Sequence, residues 1–271
     1  MSDNLGAKII SGGIWRVVAL GFATAVSVTG TAIISRQIGP AGFAQFATSL
    51  SLVSIAITLS DFGLLALGLK EFTEREGADR ERNIRALIAL RLLLSLAAAI
   101  GIVAFALISG YPEELVIGLG VAGLGLAALS LQASYLVPLQ ATFRLGEVAA
   151  VDALRQVLVT GLMVAAAVTT GQVGAIIAAL FPAGIVVAVV VGFMARGVSP
   201  IRPSFDLPEF RRLLSLVSVY ALAATIGGMY AFVAQVASDH VLSPHESGEF
   251  GLAFRTFAVL VAGGIAAIIG G

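Results

Sequence analysis

Runs of apolar residues separated by short polar stretches recur along the whole chain. Eight of them, at 14–34, 43–69, 86–108, 115–139, 149–170, 173–194, 213–236 and 252–270, approach or exceed the length of about 20 residues that a helix needs to cross the hydrocarbon of a bilayer. The pattern predicts an all-α, polytopic membrane helix bundle of about eight transmembrane helices. The run at 149–170 is the weakest, because Asp152 and Arg155 stand in its first two turns. Their i,i+3 spacing places them on one helix face, where they can pair. The longest connection, 195–212, has 18 residues, so no loop can hold a soluble domain.

Composition agrees with this reading. Hydrophobic residues make up 58% of the 271 positions and charged ones 12%, about half the roughly 25% of a soluble domain; mean hydropathy is +1.01. Basic and acidic residues balance at 16 each, so no net field points to nucleic acid. Cysteine is absent, which excludes disulfides, thiolate metal sites and cysteine nucleophiles. The distribution of basic residues carries more information than their number. Twelve of the 16, including those at 70–85 and 196–212, fall on one side of the expected spans, Arg36 alone falls on the other, and Arg16, Arg91 and Arg255 lie within spans. Such a split predicts a multi-pass inner-membrane protein with its N-terminus in the cytoplasm. The first span is too long for a signal peptide, and Arg16 interrupts its start.

A weak internal repeat appears at an offset of 204 residues, with Pro40 on Pro244, Phe46 on Phe250 and Ser11 on Ser215. Repeats of this kind mark transporters built from two halves. On that reading residues 1–208 form a first six-helix lobe, and 209–271 begin a second with two helices. A complete second lobe would need about 145 further residues by the same offset, so the chain is expected to be part of a longer protein.

The segment IGPAGFAQFATSLSLVSIAITLSDFGL (Ile38–Leu64) resembles the first hairpin of polysaccharide-export flippases. In that hairpin a Gly-Pro turn leads into a helix ending in Asp-Phe-Gly-Leu, here Asp61, Phe62, Gly63 and Leu64. The segment SPHESGEFGLAFR (Ser243–Arg255) is similar to the matching hairpin of the second lobe, through Gly248, Phe250 and Ala253. The family is that of the O-antigen and lipid-linked oligosaccharide flippases, within the multidrug/oligosaccharidyl-lipid/polysaccharide exporter superfamily. The resemblance implies two six-helix lobes around a headgroup cavity, with transport from the cytoplasmic to the outer leaflet by alternating access. It also implies lipid-linked oligosaccharide, membrane lipids and polysaccharide-assembly machinery as partners. The family normally has about twelve to fourteen spans, whereas this chain shows eight.

Charges inside the spans are the candidate site residues, because an ionisable group in hydrocarbon is costly unless paired or hydrated. Arg91 lies about 8 Å into the third span; it either binds substrate or snorkels to the surface. Arg16 lies nearer the membrane surface, and Arg255 opens the eighth span, where it either contacts a headgroup or pairs with Glu249. Asp61 lies about 12 Å from the end of the second span. It is read as an ion-coupling carboxylate, a partner for Arg91, or a brace for a helix bend at Gly63. Three arginines against one aspartate favour an anionic substrate, since guanidinium groups bind phosphate oxygens bidentately. Pro182 and Gly227–Gly228 are candidate helix breaks at mid-span. Small residues four apart, at Gly21/Ala25 and Gly161/Ala165, are expected to allow close helix packing.

No phosphate loop, His-Glu-x-x-His or Gly-x-Ser-x-Gly occurs, and His240 and His245 share one outer loop. The chain is therefore expected to be no enzyme and to need no cofactor or metal. A cation-coupled multidrug exporter of the same superfamily and a non-transporting membrane scaffold, binding partners through 70–85 and 195–212, are the alternatives.

Overall fold

The computed structural model describes the backbone of residues 3–198 and 202–269, and side chains at 21–198, 202–217, 225–230, 232–254 and 256–257. Among the described residues every regular element is an α-helix. The long first helix, α1 (Asp3–Asp61), is two arms that meet at Gly39, whose φ of 66° and ψ of 179° break the helix. That conformation is open essentially only to glycine, and the following Pro40 has no N–H to continue the ladder. The pair therefore folds the first expected span back onto the second without a loop. A second break follows Asp61, where Phe62 and Gly63 take φ of 39° and 75°. It separates the second arm of α1 from α2 (Leu64–Glu74) and splits the expected span 43–69 in two.

The remaining helices are α3 (Gly77–Ile108), α4 (Glu113–Ala141), α5 (Leu145–Thr170), α6 (Val173–Ala178), α7 (Leu180–Ala195), α8 (Leu207–Val241) and α9 (Pro244–Ile269); α6 and α7 form one stretch interrupted at Ala179, and a longer connection leads from α7 to α8. Five helical stretches among the described residues are long and apolar enough to cross a membrane, from Gly21–Glu74 through Val173–Ala195. The chain is a multi-pass membrane protein. Its turns fall at two ends: a basic end carrying residues 75–76, 142–144, 196–198 and 202–206, and an opposite end carrying 39–40, 109–112, 171–172 and 242–243.

Pro182 acts as expected. It lacks the N–H that would bond to Ala178, the residue at which α6 stops, and the next bond, Ala183 N to Ala179 O, is stretched to 3.4 Å. Gly227 and Gly228 do not act as expected, because α8 runs through them unbroken. Glycine weakens a helix by about 1 kcal/mol relative to alanine but keeps its N–H, so the hydrogen-bond ladder survives. Gly228 instead lets α8 approach α1, with Thr58 Cγ2 3.4 Å from the position a β-carbon would take.

α4 packs against α3, α6 and α7, while α5, α8 and α9 pack on α1; α8 and α9 lean on α1 far more than on each other. Phe43, Phe46, Leu52, Leu119, Leu126 and Ile176 form the centre of the main apolar core. Close helix contacts are made by glycines, though not the expected ones. A β-carbon on Gly118 would stand 2.5 Å from the Gly174 carbonyl oxygen, whereas Gly21 and Gly161 have nothing within 4 Å among the described residues. Spacing of small residues along one helix does not say which face meets a neighbour. Gly118→Ala is therefore expected to destabilise by about 1–3 kcal/mol, since backbone cannot yield as a side chain can. Gly161→Ala should be neutral or stabilising by up to about 1 kcal/mol. Unfolding in mixed detergent and SDS measures both.

Candidate functional site

The bend at Gly39 opens a V between the two arms of α1, and α8 and α9 lie against it. A cavity of about 380 Å³ remains at this seam. The first arm contributes Ser27, Thr31, Ser35 and Arg36. The spacing of four between the three hydroxyl residues places them on one helix face. Ser51 and Ser54 come from the second arm, Gln235 from α8 and Thr256 from α9, with Phe232, Leu252 and Phe254 among the apolar walls. Arg36 is the one charged residue among the described residues of this lining.

Polar contacts tie the two ends of α8 to its neighbours, α2 and α3 at one end and the α3–α4 turn at the other. At the opposite end Gly248 of α9 rests on the Pro40 carbonyl at the bend of α1. Beside it the Tyr111 hydroxyl donates to Asp239 Oδ2 at 3.0 Å, and the His240 ring packs against Phe105 and Tyr111. Burial, reinforced by the Asp239 charge, pushes the Tyr111 hydroxyl above the ordinary tyrosine range and keeps it a donor.

At the basic end the buried Glu71 carboxylate collects three donors. Asn83 Nδ2 lies at 2.6 Å, Arg75 Nε at 2.7 Å and Arg212 Nη2 at 2.8 Å. Arg212 also binds Glu209, with Nε 2.9 Å from Oε1. Burial works to raise the Glu71 carboxyl, but the hydrogen bonds and charges of Arg212 and Arg75 outweigh it and hold the group below its ordinary value. Arg82 binds Asp206 through two nitrogens at 2.6 and 2.8 Å, and Ser204 N donates to the Arg85 carbonyl at 3.0 Å. The hydrogen bond from Arg82 depresses the Asp206 carboxyl. The two basic connections are thus bound to each other.

The structure brings together two of the residues singled out from the sequence. Arg91 is 1% exposed, and its Nη2 donates to Asp61 Oδ1. Asp61 closes the second arm of α1 immediately before the Phe62–Gly63 break, so the pair pins that break to α3. The Arg91 Nη1 atom is buried without a partner among the described residues. Neither Arg91 nor Asp61 lines the seam cavity. The side chains of Arg16 and Arg255 lie outside the described residues. Asp152 and Arg155 approach within 3.9 Å on the exposed face of α5, as their spacing predicts.

Two cavity residues carry no weight in the sequence reading. Arg36 counts there only toward the charge asymmetry of the loops, and Gln235 is a single polar residue within an apolar run. The stripe Ser27–Thr31–Ser35 was a readable signal, an uninterrupted polar face at helical spacing inside a membrane span. No protein-family model matches the chain, and neither a curated protein nor a solved structure does.

Proposed function

We propose that the protein is a flippase of the inner membrane, with a cytoplasmic N-terminus. It moves an anionic lipid-linked oligosaccharide from the cytoplasmic to the outer leaflet by alternating access at the seam between α1 and the α8–α9 pair. On this reading residues 1–208 and 209–271 belong to different lobes. The observation that carries it is the seam cavity bounded by α1, α8 and α9, whose mostly apolar walls carry six hydroxyl side chains, Gln235 and Arg36. Opening the basic-end contacts admits a headgroup from the cytoplasmic leaflet, and opening the opposite end releases it, while the lipid tail stays in hydrocarbon. Arg36 meets the phosphate near the outer end; Arg16 and Arg255, on helices that bound the seam, are proposed as further phosphate contacts. Arg91 acts by holding α1 through Asp61, without touching substrate.

The lining also weighs against a multidrug exporter for organic cations. Such a site is expected to present carboxylates, and the charged group lining this cavity among the described residues is a guanidinium. A scaffold binding through its basic loops is disfavoured because Arg82 and Arg212 are already engaged by Asp206 and Glu71.

Reconstitution into liposomes tests the proposal. A fluorescent lipid-linked oligosaccharide should change leaflets with wild-type protein and at least about tenfold more slowly with Arg36→Gln, the loss expected when one charge-assisted contact is removed. Export of a lipophilic cation with no movement of the lipid-linked sugar would overturn it.

A further inference from the structure

We infer that the wall of the seam cavity formed by the second arm of α1, α8 and α9 recognises its occupant by accepting hydrogen bonds, so that it takes an uncharged, hydroxyl-rich sugar ring while Arg36 takes an anionic group. The inference rests on the flippase reading only for the lipid attached to that sugar.

A serine or threonine hydroxyl carries one proton and two lone pairs, and at four of the six hydroxyl residues of this lining, all but Ser27 and Thr31, the proton is spent on the residue's own helix. Ser35 donates to the Ala32 carbonyl at 3.1 Å, Ser51 to Ala47 at 2.9 Å and Ser54 to Leu50 at 2.8 Å. Thr256 donates to Leu252 at 2.8 Å. What these four hydroxyls present to the cavity is lone pairs.

Gln235 adds a stronger acceptor. Its Nε2 donates to Ser238 Oγ at 3.4 Å, and the Ser238 proton goes back to the Gln235 carbonyl at 2.8 Å. Ser247 of α9 stands 3.3 Å from Ser238 Oγ; with the Ser238 proton already committed, Ser247 is the donor. The network orients the amide so that Oε1 is the free end. Gln235 is 1% exposed, and its Oε1 has no partner among the described residues. A buried acceptor left unpaired is costly, and a ligand hydroxyl that reaches it removes that cost.

A lining of acceptors discriminates by charge. A neutral sugar offers a donor at nearly every ring carbon. A uronate carboxylate offers acceptors only, and against the wall of Ser51, Ser54, Thr256 and Gln235 Oε1 it would face lone pairs with no proton between them.

Equilibrium binding to the protein in lipid nanodiscs tests this with three soluble probes: a neutral disaccharide, its uronate counterpart and inorganic pyrophosphate. The neutral disaccharide should bind at least about tenfold tighter than the uronate. Gln235→Leu should abolish that preference without changing pyrophosphate binding, and Arg36→Gln should weaken pyrophosphate alone. Ser51→Ala, which removes one acceptor at a site already bonded to its own helix, should reduce the preference to an intermediate value. Equal or tighter binding of the uronate overturns the inference, as does a preference unchanged in both Gln235→Leu and Ser51→Ala. Failure of lipid-linked sugar to change leaflets, with the disaccharide preference intact, would count against the flippase reading and leave the accepting cavity standing.

Discussion

Replacing Asp61 with alanine is expected to destabilise the protein by about 1–3 kcal/mol, below the range for a fully buried ion pair because the Asp61 side chain is partly in contact with solvent. The cost arises at Arg91, which is 1% exposed and whose Nη1 already lacks a partner among the described residues. Without Asp61 its whole guanidinium would be uncompensated in a low-dielectric interior, and arginine does not relieve this by losing its proton. The reverse change, Arg91→Met, should cost less, because the Asp61 side chain is 41% exposed and a carboxylate neutralises by taking up a proton. The double variant Asp61→Ala/Arg91→Met should recover most of the loss. A double-mutant cycle on detergent-solubilised protein measures the coupling. If Asp61→Ala alone unfolds like the wild type, the pair does not hold the break at Phe62–Gly63.

The second large effect is expected at the basic end. Glu71→Ala strands Arg212, Arg75 and Asn83 at once and should cost on the order of 2–4 kcal/mol. The loss should also release α8 from α2, raising proteolysis at residues 202–206, which run largely exposed ahead of α8. The same carboxylate gives a pH dependence of definite sign. Its folded pKa lies below the ordinary 4.5, so its contribution is complete above 4.5 and is lost as pH falls through the lower folded value. Wild-type stability should therefore decline on acidification below about 4.5, and Glu71→Gln should flatten that decline. Unfolding midpoints between pH 3 and 7 measure it, and an identical acid decline in wild type and Glu71→Gln would contradict the assignment.

How much of this was readable beforehand depends on whether the cause is local. Apolar runs place the helices because bilayer thickness sets their length, and helices cover all eight expected segments. Pro182 was readable because a missing N–H weakens a helix whatever surrounds it. The Gly39–Pro40 turn entered the sequence reading only through the resemblance of Ile38–Leu64 to the flippase hairpin. The Asp61–Arg91 contact stood among several alternatives, since two charges of opposite sign at similar depth need not face each other until α1 and α3 are packed. Gly227 and Gly228 were misread because low helix propensity does not by itself break a helix that its neighbours support. The cavity was the least legible feature. It exists only where the V of α1 meets α8 and α9, and neither Gln235 nor Arg36 belongs to a sequence motif that announces it.

The central claim, that transport occurs by movement at the α1/α8–α9 seam, is tested most directly by tying the seam shut. The chain has no cysteine, so an engineered pair is unambiguous. Thr58 on α1 and Gly228 on α8 suit it: Thr58 Cγ2, which stands where a cysteine sulfur could, lies 3.4 Å from the β-carbon position at residue 228, close to the roughly 3 Å between a disulfide sulfur and the far β-carbon. In liposomes, oxidised Thr58→Cys/Gly228→Cys protein should fail to move a lipid-linked oligosaccharide between leaflets, and reduction should restore movement. Undiminished movement with the disulfide fully formed would contradict the account.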